Sequence, residues 1–170
     1  MTRYCLTMQL SRTGRFVYVA QTWAAVLFPF FLFSGRALVG GPFGWGGLFG
    51  LALMWFFVVP LLVGPIMTRF DREVRAKKTT RFAYDIATFA LWAGFIVAGL
   101  AISDASDAGP MASALTTWTR GGVSFGASQA ILQGSLAFTA LAYLATLALA
   151  TAGIVVSRRA PRLGRGQVAI

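Results

Sequence analysis

Asp85 is the charged side chain that lies closest to the apolar interior predicted from this sequence. It falls in the first turn of a predominantly apolar run, residues 82–103. A carboxylate inside a membrane is costly and typically serves transport or proton transfer. At the start of a helix, however, it also favours the positive end of the helix dipole and can reach interfacial water. Asp85 therefore has two interpretations, a helix-capping role and a proton- or ion-linked role.

The remaining candidates for metal or catalytic chemistry are few. Asp104 and Asp107 are three residues apart and could share a cation, but no neighbouring residue completes a ligand set. The chain has no histidine and a single cysteine, Cys5, which argues against histidine-ligated haem, the usual zinc sites and an intrachain disulfide. We expect no catalytic residues, no metal site and no cofactor of the chain's own, although a bound lipid or quinone is compatible with the sequence.

Neutral polar side chains interrupt the apolar runs and could either link helices or line a ligand cleft. Hydrogen bonds of this kind between membrane helices are modest in strength and usually serve packing. The residues are Gln21, Thr22, Thr88, Gln133, Ser135, Thr139 and Thr146.

Four aromatic residues lie well inside apolar runs instead of at their ends: Trp23, Trp55, Trp92 and Tyr143. Apolar sites with few polar groups bind quinones, carotenoids and lipid tails, so these residues are candidate contacts for an apolar ligand or a lipid. Packing against lipid or another subunit is the alternative, because large rings are also what helix interfaces bury.

Residues 68–81 form a basic loop between two apolar halves, with six basic residues against two acids. Three pairs of opposite charge are four residues apart, which predicts that the preceding helix continues into this loop. They are Arg69 and Glu73, Asp71 and Arg75, and Glu73 and Lys77. Short loops rich in arginine and lysine remain cytoplasmic, which alone could explain the loop. Its candidate contacts with anionic lipid headgroups are Arg69, Arg72, Arg75, Lys77 and Lys78.

Composition assigns these residues to membrane-spanning helices. The chain of 170 residues is 57% hydrophobic and only 12% charged, and about twenty apolar residues suffice to cross the hydrocarbon core. We predict an all-α, single-domain membrane protein whose four spans cover residues 16–35, 48–67, 82–103 and 131–156. Pro60 and Pro65 should make the second span irregular.

The distribution of charge predicts the topology. Thirteen basic residues fall at one side of the predicted spans and only Arg36 and Arg120 at the other. Both termini, the loop 68–81 and the basic tail 157–170 should therefore be cytoplasmic. Met111, Leu115 and Trp118 predict a short amphipathic helix on the outer face. Since the basic residues cluster at helix ends instead of covering a folded surface, we expect no nucleic-acid binding despite the net charge of +10.

Small residues recur every fourth or eighth position on the last two spans. Small side chains let membrane helices approach closely, so these rows should contact another helix, either within the chain or in a partner. They are Ala90, Gly94 and Ala98 on the third span and Gly134, Ala142 and Ala150 on the fourth.

These features favour a non-catalytic, accessory subunit of a larger bacterial membrane complex, such as a respiratory, transport or envelope assembly, in the inner membrane. An excess of arginine over lysine is typical of GC-rich bacterial genomes. The expected partners are other membrane subunits and anionic lipids. The alternative is a small transporter or channel acting as an oligomer, with Gln21 and Gln133 near a cleft between the first two spans. A third hypothesis is a lipid enzyme, with Arg69, Asp71 and Arg72 at a lipid phosphate.

Overall fold

The computed structural model describes the backbone of residues 10–164 and the side chains of residues 10–158. Cys5 and most of the predicted basic tail therefore lie outside the described side chains. The fold is mostly helical, at 77%. Its α-helices are α1 (Gly14–Phe33), α2 (Trp45–Leu53), α3 (Trp55–Phe70), α4 (Arg72–Lys77), α5 (Phe82–Ala101), α6 (Ala114–Trp118) and α7 (Phe125–Gly164). A 3-10 helix (Gly35–Val39) follows α1, and β1 (Asp104–Ser106) pairs antiparallel with β2 (Gly109–Met111).

Three helices are long and apolar enough to cross a membrane: α1, α5 and the Phe125–Arg158 part of α7. The pair α2 and α3 meets the same criteria together, but it is bent by 48°. The described part of the chain thus has three candidate spans, or four when the bent pair is one span. With 40 residues, α7 is about 60 Å long, roughly twice the thickness of the hydrocarbon core.

The helices pack around α5, which makes its largest contact with α7 and its second largest with α1. Half of the α5 span is buried inside the chain, compared with 28% of the α1 and α7 spans. The larger apolar cluster lies between α1, α5 and α7 and contains Leu32, Leu91, Phe95, Ala98 and Ala142. A smaller cluster around Val17, Tyr84 and Ala150 lies toward the N-terminal end of α1. The central helix therefore contributes less of its surface to lipid than α1 and α7 do.

The bend between α2 and α3 lies at Met54, and α3 continues through both Pro60 and Pro65. The prolines therefore do not end the helix where the sequence suggested an irregular segment. Gly50 of α2 lies so close to the Phe33 ring of α1 that a Cβ atom there would collide with it, so a larger residue at position 50 is incompatible with this packing of α2 on α1.

The basic loop also contains a break that the charge spacing did not predict. α3 ends at Phe70, and Asp71 has an extended backbone and caps the separate helix α4. Its Oδ1 accepts from the backbone N–H groups of Glu73 and Val74 at 3.0 and 3.4 Å. Glu73 and Lys77 do pair within α4, at 3.4 Å. An aspartate at an N-cap competes with helix continuation, because its side chain satisfies the N–H groups of a new helix.

The segment between α5 and α7 contains a hairpin before its helix. Met111 belongs to β2, while Leu115 and Trp118 belong to α6, which starts only at Ala114. Ser113 caps this helix by accepting from the Thr116 N–H at 3.2 Å. The predicted amphipathic helix through Met111, Leu115 and Trp118 thus includes Leu115 and Trp118 but not Met111.

Candidate functional site

A buried polar network joins three helices in the half of the bundle nearer residue 14. The Tyr84 hydroxyl on α5 donates to Gln21 Oε1 on α1 at 2.8 Å. Gln21 Nε2 donates to Thr68 Oγ1 on α3 at 3.1 Å, and Thr68 donates in turn to the Pro65 carbonyl at 2.8 Å. Gln21, Thr68 and Tyr84 are all less than 5% exposed. Each donor thus has a partner, and the network fixes the register of α1, α3 and α5.

Beside this network lies a small cavity of about 20 Å³ between α1, α3, α5 and α7. Its polar lining consists of Gln21, Tyr84, Thr88, Tyr143 and Thr146. Thr88 donates to the Tyr84 carbonyl at 2.8 Å, and Tyr143 donates to the Pro60 carbonyl at 2.8 Å. A volume of this size holds about one water molecule. The cavity can therefore hydrate the centre of the bundle, but it is too small for an organic substrate.

A cluster of charges connects the basic loop to the bundle. Arg81 Nε lies 3.0 Å from Asp71 Oδ2, and Arg81 Nη2 lies 3.1 Å from Glu73 Oε2. Asp71 and Arg81 are both buried. A Cβ atom at Gly153 of α7 would lie 2.8 Å from Asp71 Oδ2, so α7 covers the pair closely. Arg81 is thus a packing element, in contrast to its exposed basic neighbours in the loop.

Asp85 occupies a site that its sequence position did not predict. It is 1% exposed, and its carboxylate accepts from Thr13 Oγ1 at 3.0 Å and from the Thr80 hydroxyl. The Thr80 backbone N–H donates to the Gly14 carbonyl at 3.2 Å. Two hydroxyl donors replace the interfacial water expected from the sequence, because the segment before α1 folds over the start of α5. Asp85 therefore links these two segments.

The other end of the bundle contains a buried ion pair that the sequence analysis missed. Arg36 Nη2 of the 3-10 helix lies 2.6 Å from Asp104 Oδ2 in β1, and the arginine is 1% exposed. Backbone N–H groups of Gly44, Gly46 and Gly47 donate to the same carboxylate at 2.8 to 3.0 Å. The carboxylate thus neutralises Arg36 and caps α2. The available sequence signal was a single arginine in an otherwise uncharged, glycine-rich loop.

The environment of this pair shifts both pKa values. Burial by itself would raise the pKa of Asp104, but the backbone donors of Ala105, Gly44, Gly46 and Gly47 together hold it below its ordinary value. Burial lowers the pKa of Arg36, and Asp104 opposes that effect. Arg36 Nε and Nη1 are buried and find no acceptor among the described residues. The carboxylate is therefore much better satisfied than the guanidinium.

The small-residue rows divide between the interior and the surface. Gly94 lies against Thr139 of α7, closely enough that a Cβ atom would collide with the hydroxyl. Ala98, Ala142 and Ala150 are buried, and Ala90 is partly buried. Gly134 is exposed, and a Cβ atom there would meet nothing within 4 Å. The row on α5 is thus used within the chain, while the N-terminal part of α7 presents an exposed face at Gly134.

The predicted ligand contacts lie mainly on the surface. Trp23 and Trp55 are 70% and 60% exposed, whereas Trp92 and Tyr143 are partly buried. The predicted headgroup contacts of the basic loop are all exposed, at the end of α3, on α4 and directly after α4: Arg69, Arg72, Arg75, Lys77 and Lys78. Among the described residues no three histidine, cysteine, aspartate or glutamate side chains lie close enough to hold a metal ion.

The fold defines a class of protein, a helical chain with several candidate membrane spans. Buried ion pairs connect its segments near both ends of the bundle. Comparisons with protein-family models, with curated protein sequences and with solved structures find no match for this chain. Its function must therefore be inferred from its own residues.

Proposed function

We propose that this chain is a non-catalytic integral membrane subunit of a larger bacterial membrane complex in the inner membrane. The observation that carries the proposal is the outward face of α7. This helix is the most hydrophobic candidate span, yet only 28% of its span is buried inside the chain. A long helix attached along one side leaves its other side to lipid or to another protein.

The composition of that face favours another helix over lipid. Exposed positions with alternating spacings of three and four form one stripe along α7, consisting of Ala127, Ala130, Gly134, Ala137, Leu141, Leu144 and Ala148. This is the repeat with which helices pack side by side. The N-terminal half of this stripe, from Ala127 to Ala137, contains only alanine and glycine. These small residues allow the close backbone approach that drives helix association in lipid. We name these seven residues the α7 stripe.

The polar interior supports a packing role in preference to transport. The Gln21 network is satisfied within the chain, the adjoining cavity has about 20 Å³, and Asp85 is held by two hydroxyl groups. A pathway for a solute needs a continuous polar cleft. Gln133 lies exposed on α7, whereas Gln21 lies buried on α1, so the two glutamines do not line the cleft that the transporter hypothesis requires.

Substitution on the α7 stripe tests the proposal. Gly134→Leu should release the partner chains that co-purify with the wild type, because a bulky side chain separates closely packed helices. The fold should be retained, since the space beside Gly134 is open within the chain. Ala93→Leu is the matched control, because Ala93 is exposed on α5 and gains similar bulk away from the stripe.

Partners would be identified by mass spectrometry after gentle detergent extraction, at equal expression of each variant. A photo-crosslinking residue at position 130 should capture the same partner in the wild type and not in Gly134→Leu. Equal recovery of every partner with Gly134→Leu would contradict the role of the stripe. A wild-type protein that purifies alone as a fully active monomer would contradict the subunit proposal.

A further inference from the structure

A second surface feature, independent of the α7 stripe, is an open groove of about 1030 Å³ between α1 and α5. Its wall is almost entirely apolar and comes mostly from one face of α1. Trp92 and Ile96 of α5 complete it, and the small residues Ala20 and Ala24 leave room at its base. The groove therefore has the shape and the polarity that suit a hydrocarbon chain.

Ring contacts hold part of this wall in place. The Trp92 ring packs edge-on against Phe16, with centroids 6.1 Å apart, and lies 5.9 Å from Phe28. Phe89 of α5 also packs edge-on with Trp92, with centroids 5.3 Å apart. Such contacts contribute beyond simple burial of area and orient the rings. The groove is thus formed by the fold itself.

The charge at one end of the groove distinguishes it from an ordinary lipid-facing surface. Arg12 and Arg15 line that end. Both are exposed, and the ion pairs seen among the described side chains involve neither of them. The other lining residues, all within the described range, include no acid. Two positive charges beside an apolar channel complement a ligand with an anionic head and an apolar tail.

The dimensions match one leaflet of a bilayer. From Arg15 to Leu27, twelve residues along α1 span about 18 Å at 1.5 Å per residue. Half of the hydrocarbon core is about 15 Å. An acyl chain whose phosphate meets Arg12 and Arg15 would therefore pass Trp23 and end near Leu27.

We propose that this groove binds one anionic phospholipid, with its phosphate at Arg12 and Arg15 and an acyl chain along α1 and α5. A neutral quinone would leave both arginines without a counter-charge, so the pair of arginines favours the lipid. This site lies apart from the exposed basic residues of α4, which attract anionic headgroups only as a charged surface.

Quenching of tryptophan fluorescence by brominated lipids tests the proposal in vesicles. The full chain is reconstituted in phosphatidylcholine with a fixed minor fraction of phosphatidylglycerol, and one of the two lipids has bromine in the middle of its chains. The fluorescence of Trp23 is obtained as the difference between the wild type and Trp23→Phe. Trp23 is exposed in the groove. In the wild type, brominated phosphatidylglycerol should quench Trp23 more than brominated phosphatidylcholine does at equal fraction.

Arg12→Gln/Arg15→Gln should reduce this preference by roughly thirtyfold, because each of the two basic residues contributes about 1 kcal/mol near an anionic lipid and every 1.4 kcal/mol is a factor of about ten. Arg72→Gln/Arg75→Gln removes two exposed charges elsewhere and should keep the preference. Ala20→Phe fills the base of the groove without changing charge, and it should also reduce the preference. Melting of each variant, followed by circular dichroism, confirms that it remains folded.

Three results would each overturn the proposal. The first is equal quenching of Trp23 by the two lipids in the wild type. The second is the same loss of preference in Arg72→Gln/Arg75→Gln as in Arg12→Gln/Arg15→Gln, which would indicate a general surface charge. The third is an unchanged preference in Arg12→Gln/Arg15→Gln or in Ala20→Phe, which would leave the groove to an uncharged occupant such as a quinone or a partner helix.

Discussion

Removing the charge of Asp104 should destabilise the protein far more than removing the charge of its partner Arg36. Asp104→Asn keeps the size of the side chain but leaves the buried guanidinium without a counter-ion. Its amide also offers only one oxygen to the four backbone N–H groups that now donate to the carboxylate. Breaking a buried pair from one side costs about 3–5 kcal/mol, and we expect this cost for Asp104→Asn.

Arg36→Met removes the other charge with much less damage. The carboxylate keeps its backbone donors, and the substitution removes a buried guanidinium whose Nε and Nη1 find no acceptor among the described residues. We therefore expect a cost of only about 1–2 kcal/mol. In the double variant no unpaired buried charge remains, so it should be more stable than the sum of the single costs predicts, by about 2–3 kcal/mol.

The assay is unfolding in mixed micelles with an increasing fraction of anionic detergent, followed by far-ultraviolet circular dichroism. pH provides an internal check. Because the pKa of Asp104 is lower in the folded protein than its ordinary value of 3.8, its contribution is fully present above that value and is lost as pH falls through the folded pKa. The difference between wild type and Asp104→Asn should shrink only in that acidic window. Equal costs for Asp104→Asn and Arg36→Met, adding without coupling, would refute the reasoning.

Two further predictions concern packing and topology. Gly94→Leu should lower the free energy of unfolding, measured in the same assay, by about 1–3 kcal/mol through overpacking against Thr139. Gly134→Leu is the control and should leave the free energy of unfolding unchanged. Equal stability of the two variants would show that α5 and α7 do not pack as described. A cysteine introduced at Ser106 should react with an impermeant reagent in intact cells, because the excess of basic residues on the opposite side places Ser106 outside. Labelling only after permeabilisation would contradict the predicted topology.

The extent of the apolar helices could be predicted from the sequence alone. Burial in lipid requires an unbroken apolar run of a given length, and this requirement is local. The predicted spans 16–35 and 82–103 accordingly correspond to α1 (Gly14–Phe33) and α5 (Phe82–Ala101). The boundaries of the last span were less accurate, because α7 extends beyond its apolar run at both ends.

Partner choice among polar residues could not be predicted. Asp71 was expected to pair with Arg75 four positions along, yet it caps α4 and pairs with Arg81. Gln21 was recognised as polar inside a span, but its bonds to Tyr84 and Thr68 depend on how three helices are rotated. Neither choice has a signature in spacing along the chain.

The sequence by itself determined that this chain forms apolar helices with basic ends, because length, hydropathy and charge act residue by residue. The tertiary structure decided which charges are buried and which surfaces are free. Arg36 and Asp104 are 68 positions apart, and only the folding of the α2 N-terminus onto β1 brings them together. The same holds for the two outward features of the bundle: the α7 stripe is exposed because α5 packs against another side of α7, and the groove forms where Ala20 and Ala24 of α1 lie beside Trp92 and Ile96 of α5.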